Sequence, residues 1–468
     1  MAPLPLIPPP LQNSSFTLDI FSIAGFFGGD EVIQAMATLH LYKGRKWRGW
    51  YNSPGTYAVA KSFGRMANSR FWRGLFPGTT QDPATAFGMD GKKGPKYLGA
   101  LSGTEITTGH TGYLLAEYVK SLNGLDLRDE GHRITKATSV TVIDVRSVEN
   151  LDNLSAPSSL LHLLLSYFTM ISSIACAVFS LILFDDKVCF AAILLGTLIG
   201  GISSIIIGFG DLSLQSVFSP APGSPPGDGV LVGEEIVVVR GTEANVNAIT
   251  KGKFHLKLIG SPKYHIIGVC SMLYFLQFIT QLFLIPQGSL PGQLMFLTSF
   301  AIAWVNNCAL ASIDKEAIQM DVLAQSVKMD IKKYKLPSRT MATLFTCLAL
   351  HRSPEELATS PEYGDFDPER LLKYMLPNNT TVWQAWRQVV MDVLQSKQPP
   401  EYFDTAVNGP KLSGLRSDQK SLLKTLLNDA GVTYKKYYEL MQIESRMKES
   451  IDTKTSKRRI SWLSSHEK

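Results

Sequence analysis

The stretch SSLLHLLLSYFTMISSIACAVFSLILF, Ser158 to Phe184, contains no Asp, Glu, Lys or Arg. A helix needs about 20 mostly apolar residues to cross roughly 30 Å of hydrocarbon, and this stretch supplies them. Only Asp185, Asp186 and Lys187 separate it from VCFAAILLGTLIGGISSIIIGF, Val188 to Phe209, which is also free of charge. The pair predicts a transmembrane hairpin. A second hairpin is predicted by IIGVCSMLYFLQFITQLFLI (Ile266–Ile285) and GQLMFLTSFAIAWVNNCALASI (Gly292–Ile313), joined through the uncharged turn PQGSLPG. The expected fold class is a mainly α integral membrane protein. Its four transmembrane helices form two hairpins, flanked by mixed α/β N-terminal and middle cytosolic segments and a helical C-terminal segment.

Outward from the hairpins (158–209 and 264–313), the chain divides further. A Pro-rich leader (1–16) is expected to be disordered, and a basic mixed α/β segment follows (17–157). A linker with a small strand–helix–strand unit (210–263) joins the hairpins. A helical segment (314–450) and a basic disordered tail (451–468) complete the chain. The whole chain is 18% charged over 468 residues, below the quarter or so typical of soluble domains. This composition excludes a disordered chain, a collagen-like chain and a small disulfide scaffold. Of five cysteines, Cys176, Cys189, Cys270 and Cys308 fall within the spans and Cys347 beyond them, with no disulfide or zinc spacing. No cofactor is implied. MAPLPLIPPPLQNSS has no basic n-region and is not expected to be a secretory signal.

Lys and Arg in the flanking loops set orientation. The two hairpin turns hold one basic residue, Lys187. The middle segment holds Arg240, Lys251, Lys253, Lys257 and Lys263, and Lys315, Lys328, Lys332, Lys333, Lys335 and Arg339 follow the fourth span. Both termini and the middle segment are therefore expected in the cytosol. That keeps the N-x-S/T sites at Asn13, Asn153, Asn378 and Asn379 unglycosylated.

Within the second span, Gly196, Gly200, Ser204 and Gly208 repeat every fourth position. Such faces let backbones approach closely where no hydrophobic force drives helix association. The stripe predicts close packing against another span or a second copy. Gln277 and Gln281 in the third span and Asn306 and Asn307 in the fourth are expected to face inward and hydrogen-bond between helices. The same amides are the feature that would serve a small-solute transporter or channel. No span contains Asp, Glu, Lys or Arg, residues that mark ion pathways, although His162 lies in the first.

From Leu41 to Ala100 the chain is strongly basic with interleaved aromatics, as in KGRKWRGWY (Lys43–Tyr51) and RFWRGLF (Arg70–Phe76). Arg45, Lys46, Trp47, Arg48, Trp50, Arg70, Trp72 and Arg73 are candidates for contact with an anionic membrane surface, where each cation contributes about 1 kcal/mol. Nucleic acid suits this pattern less well in a chain with membrane spans. RITKATSVTVIDV (Arg133–Val145) reads as a strand, and TGHTGYLLAEYVKSL (Thr108–Leu122) as a loop entering a helix. Glu105 and His110 are close enough in sequence for a catalytic pair, but no nucleophile, second acid or metal spacing supports one.

SPAPGSPPGDG (Ser219–Gly229) reads as a flexible linker. GEEIVVVRG, TEANVNAIT and KGKFHLKL then read as strand, helix and strand, with Thr242 as N-cap and Gly252 at the helix end. This unit is expected to pair with strands of the N-terminal segment. EEIVVVRGTEANVNAITKGKFHL, with the downstream ALHRSPEELATSPEYGDFDPERLLKYMLP, resembles uncharacterised multi-pass membrane proteins of filamentous fungi, over about Ser158 to Pro377. The resemblance implies a membrane location and carries no activity or functional residue.

In the C-terminal segment, Ser353-Pro354-Glu355-Glu356 and Thr381-Val-Trp-Gln384 read as helix starts. The second opens an amphipathic helix that buries Val382, Trp386, Val389, Val390 and Val393. Ser417 and Thr433 are expected to open two further helices. Arg458-Arg459-Ile460-Ser461 resembles a basophilic kinase site, which makes Ser461 a candidate phosphosite. Taken together, the sequence predicts a structural or interaction protein acting through cytosolic domains. Its expected partners are the lipid bilayer, an anionic lipid surface, and a protein partner or a second copy. A transporter or a membrane-bound enzyme are the alternatives.

Overall fold

The structure is a computed structural model. It describes residues 29–67, 69–127, 135–148, 152, 154–157, 159–215, 220–258, 264–351, 366–396, 402–406 and 415–465. The leader, Asn13, Asn153 and the helix start at Ser353 lie outside the described residues. Helices α1 (Asp30–Leu41), α2 (Thr56–Met66), α3 (Arg70–Leu75) and α4 (Pro83–Ala86) come first. They are followed by β1 (Lys96–Gly99), β2 (Glu105–Thr107), α5 (His110–Ser121), β3 (Leu125–Asp126) and β4 (Thr138–Val148). The first hairpin is α6 (Leu160–Ile182) with α7 (Lys187–Gly208). Then come β5 (Asp211–Gln215), β6 (Gly229–Val232), β7 (Ile236–Arg240), α8 (Glu243–Thr250) and β8 (Lys253–Lys257). The second hairpin is α9 (His265–Leu284) with α10 (Leu290–Ala311). The chain closes with α11 (Lys315–Ser326), β9 (Val327–Leu336), α12 (Arg339–Leu350), α13 (Pro368–Met375), α14 (Thr381–Ser396), α15 (Tyr402–Ala406) and α16 (Ser417–Ser465).

The helices α6, α7, α9 and α10 are each long and apolar enough to cross a membrane. Their burial is the reverse of a soluble bundle. On α6 the exposed side chains include Leu160, Leu164, Phe168, Ile171 and Phe179, whereas Ser166, Thr169, Ser173 and Ser180 are buried. The buried hydroxyls return their hydrogen bonds to the helix; Thr169 Oγ1 donates to Leu165 O at 2.9 Å. At the end of the bundle away from the sheet, Asp186 clasps the two hairpins. Its Oδ1 accepts from Cys189 N (2.9 Å), capping α7. Its Oδ2 accepts from Ser289 N (2.7 Å) and Ser289 Oγ (2.8 Å) at the start of α10.

Seven strands form one mixed sheet in the order β2-β1-β6-β7-β4-β9-β3. Its strands come from before α6, between α7 and α9, and after α10, so all three chain segments lie on one side of the bundle. The middle unit pairs with the N-terminal segment as the sequence predicts: β7 runs parallel to β4, and β6 antiparallel to β1. Thr242 caps α8, accepting from Asn245 N at 3.4 Å. Alternation along the central strands splits the core. Val140, Val142, Ile236 and Val238 face the helices α12–α16, built around Trp386, Phe345 and Phe403. Ile143, Val145, Val237 and Val239 face the other way, in a core continuous with Ile199, Ile267 and Tyr274 of the bundle.

Three expectations are corrected. The segment after the fourth span is not wholly helical: VKMDIKKYKL (Val327–Leu336) is strand β9, paired antiparallel along β4. Its lysines hide the strand signal, yet Lys333 is buried and donates to Val119 O (2.7 Å) while pairing with Glu235 (2.9 Å). The end of the expected linker is built into the fold, since Asp228 is buried and its Oδ1 accepts from Gly241 N at 2.9 Å. Finally, Ser417 opens a helix as expected, but Thr433 does not open another. One helix, α16, runs from Ser417 to Ser465 through the expected disordered tail and Ser461. Thr433 Oγ1 bonds back to Asp429 O (2.8 Å), and neither Gly nor Pro follows Gly431 to interrupt the helix. The Ser461 side chain lies outside the described residues.

Candidate functional site

The small-residue face of α7 is covered for most of its length by the N-terminal segment, and at Gly196 also by Gln277 of α9. Residues 45–52 of the N-terminal segment run along this face, first as a 3-10 turn (Arg45–Trp47) and then as irregular chain. A Cβ on Gly208 would lie 2.8 Å from Lys46 Cα, and one on Gly201 2.2 Å from the Trp50 ring. A Cβ on Gly200 would meet the carbonyl oxygens of Gly49 (2.8 Å) and Tyr51 (2.9 Å). Ser204 donates to Arg45 O at 3.3 Å. The spacing leaves the occupant of this face open, because a four-residue repeat says only that something flat must lie there.

Arg45 fixes this inner segment. Its guanidinium donates to His40 O (2.8 Å), to Gly208 O (3.2 Å) at the end of α7, and to Gly210 O just beyond it. A cation at a helix C-terminus satisfies carbonyls that have no helical partner and meets the negative end of the dipole. Beside it, the Lys46 ammonium sits 3.6 Å from the centre of the Phe209 ring.

From there the segment reaches the middle of the bundle, where Asn52 touches all four long helices. Its backbone N–H donates to Ser173 Oγ of α6 (3.3 Å) and its Nδ2 to Ser299 Oγ of α10 (3.0 Å). Its Oδ1 accepts from Gln281 Nε2 of α9 (3.0 Å), which also donates to Ala192 O of α7 (3.1 Å). Tyr51 donates to Asn307 Oδ1 at 2.8 Å. The chain then turns at Pro54 and Gly55 (φ 68°) into α2, which climbs back along α9; there Ser271 Oγ donates to Ala60 O at 2.5 Å. Non-helical backbone inside so apolar a bundle needs its polar groups satisfied by the protein around it.

The amides singled out in the sequence therefore converge. Gln277, Gln281, Asn306 and Asn307 are all buried. Gln281 and Asn307 are engaged by Asn52 and Tyr51, which the sequence reading did not single out. Gln277 Nε2 and Oε1, Asn306 Nδ2 and Oδ1, and Asn307 Nδ2 have no hydrogen-bond partner within the protein. Each such buried atom costs about 1–3 kcal/mol, so the centre of the bundle is both polar and incompletely satisfied. The hydrophobic signal along this region is strong enough to conceal the missing participant, a basic N-terminal loop.

The eight residues expected at a membrane surface divide by burial. Trp47, Arg70 and Arg73 are exposed at the sheet-side end of the bundle, next to exposed Phe71 and Leu75. Arg48 and Trp72 are internal: Arg48 donates to Lys43 O (3.3 Å), and the Trp72 ring lies against Gly268 of α9. Arg45, Lys46 and Trp50 are committed to α7. The correction has a plain cause, since long side chains with apolar stems and rings pack as readily as they project.

Glu105 and His110 take separate partners. Glu105 is on exposed β2 and pairs with Lys96 (3.3 Å). His110 is buried, its Nε2 3.2 Å from Gln319 Oε1, and burial holds its imidazole below the ordinary histidine value. Because Gln319 donates from Nε2 to Met89 O (2.7 Å), its Oε1 faces His110, which places the imidazole proton on Nε2. Among the described residues, no group of three His, Cys, Asp or Glu side chains is placed to hold a metal ion. The chain matches no protein-family model, no curated protein and no solved structure.

Proposed function

We propose that the chain is a four-span membrane protein that works as an anchored interaction platform, holding its sheet domain at the cytosolic face for a protein partner or a second copy. The observation that carries this reading is the assembly of one seven-stranded sheet from three chain segments that the hairpins separate. Strand pairing ties both hairpins to the domain, while the inner segment and Asn52 tie the domain to the bundle, as a rigid anchor requires. Exposed Trp47, Arg70, Phe71 and Arg73 at the sheet-side end suit an anionic cytosolic leaflet, Trp at the interface and cations over headgroups. The test is affinity purification of the tagged full-length chain from mild detergent after brief cross-linking. A stoichiometric partner or a defined oligomer is expected. Repeated recovery of the chain alone as a monomer would sink the reading.

A further inference from the structure

We propose that the amides around Asn52 are hydrated within the bundle, with water as the small uncharged donor and acceptor that completes their hydrogen bonding. Gln277, Asn306 and Asn307 are fully buried, yet five of their amide atoms have no partner in the protein. An amide offers a donor and an acceptor together, so the complementary molecule must be both. Asn52, Gln277, Gln281, Asn306 and Asn307 are all uncharged, so they offer hydrogen-bonding dipoles and no counter-charge.

The placement of these groups supports a shared space. Gln277 and Asn52 meet across Gly196, where a Cβ would lie 1.9 Å from Asn52 Oδ1 and 2.8 Å from Gln277 Nε2. Tyr51, which donates to Asn307 Oδ1, also lines a cavity of about 40 Å³ that is bounded by Ser53, Gly200 and Tyr274 and by His40 and Arg45. A water needs about 10–15 Å³ of such volume, so the cavity accommodates a few waters and nothing as large as a metabolite. Arg45, the one charged residue at its border, already donates to three carbonyl groups. Bridging waters would give the amides the partners that the side chains lack.

Hydroxyl-radical footprinting of the full chain in lipid nanodiscs tests this, because radicals generated from bound water oxidise only the side chains beside it. Tyr51 and Tyr274 are 5% and 1% exposed, and Trp386 in the sheet domain is 0% exposed. The expected result is oxidation of Tyr51 and Tyr274 within about tenfold of exposed Tyr438, with Trp386 protected. Combining Gln277→Leu with Asn306→Leu is expected to slow oxidation of Tyr51 and Tyr274 at least about fivefold while leaving Tyr438 unchanged. Protection of both tyrosines to the level of Trp386 in the unaltered chain would overturn the proposal. So would rates that the paired substitution does not move in a folded variant. Should that variant not fold, the comparison within the unaltered chain decides.

Discussion

Gly200→Val should lift the inner segment off α7. A Cβ at this position has no room: it would lie 2.8 Å from Gly49 O and 2.9 Å from Tyr51 O, and backbone oxygens cannot swing aside as a flexible side chain can. Displacing the segment breaks the two Arg45 bonds to Gly208 and Gly210, the Tyr51–Asn307 bond, and the Asn52 bonds to Ser299 and Gln281. At about 0.6–1 kcal/mol each, these bonds together contribute about 3–5 kcal/mol. A change of 1.4 kcal/mol is tenfold in an equilibrium, so the open population should rise at least about 100-fold. Trypsin provides the assay, because Arg45, Lys46 and Arg48 are cleavage sites held against α7. When opening is fast, cleavage tracks the open population. Gly74→Val is the control, since a Cβ there meets nothing within 4 Å. A folded Gly200→Val protein cut between Arg45 and Arg48 no faster than the control would refute the packing described for this segment.

Other outcomes follow from the same contacts. Arg45→Gln removes a charged donor from the end of α7 and should cost about 1–3 kcal/mol, read as a lower Tm in detergent; Arg45→Lys should recover only part, because one ammonium cannot reach carbonyls spread over His40, Gly208 and Gly210. Burial holds His110 below its ordinary value, so the unfolded chain binds more protons than the folded one near pH 6. The contribution of this histidine is present above about pH 6.5 and is lost as pH falls, by at most about 1.4 kcal/mol per unit. Thermal unfolding between pH 7.5 and 5.5 should show that slope, and His110→Gln should flatten it. Trp386→Ala should destabilise the sheet domain by about 3–5 kcal/mol, since the ring is 0% exposed and its Nε1 donates to Leu426 O at 3.2 Å. Denaturant unfolding followed in that domain checks it.

Much of the architecture was legible where one physical signal dominates. Four charge-free runs give four helices, and alternation in SVTVIDV and IVVVR gives β4 and β7. The signals failed where two demands fall on one segment. In β9 the lysines needed at a sheet near its edge and over Glu235 mask the strand pattern, and Lys333 must be read as a buried partner rather than a surface charge. In KGRKWRGWYN the basic and aromatic residues suit a membrane surface, yet the two glycines and the small face of α7 let half of them pack inside. The candidate site was therefore half visible. Gln277, Gln281, Asn306 and Asn307 stand out because amides are costly in hydrocarbon, whereas Asn52, which joins them, looks ordinary in a polar loop.

The account rests most heavily on the inner segment lying along α7 within the bundle. A Cβ built on Gly49 points directly at Ser204, 2.3 Å from its Cβ, so two cysteines there face each other and close once the segment eases outward by about 1–2 Å to disulfide separation. In a background without the five native cysteines, oxidation of a Gly49→Cys, Ser204→Cys protein in native membranes should close a covalent loop, seen as a mobility shift that reductant reverses. The pair Gly74→Cys, Ser204→Cys should stay open. Failure of the Gly49–Ser204 pair to cross-link, under oxidation that closes a disulfide elsewhere in the same fold, would contradict the account.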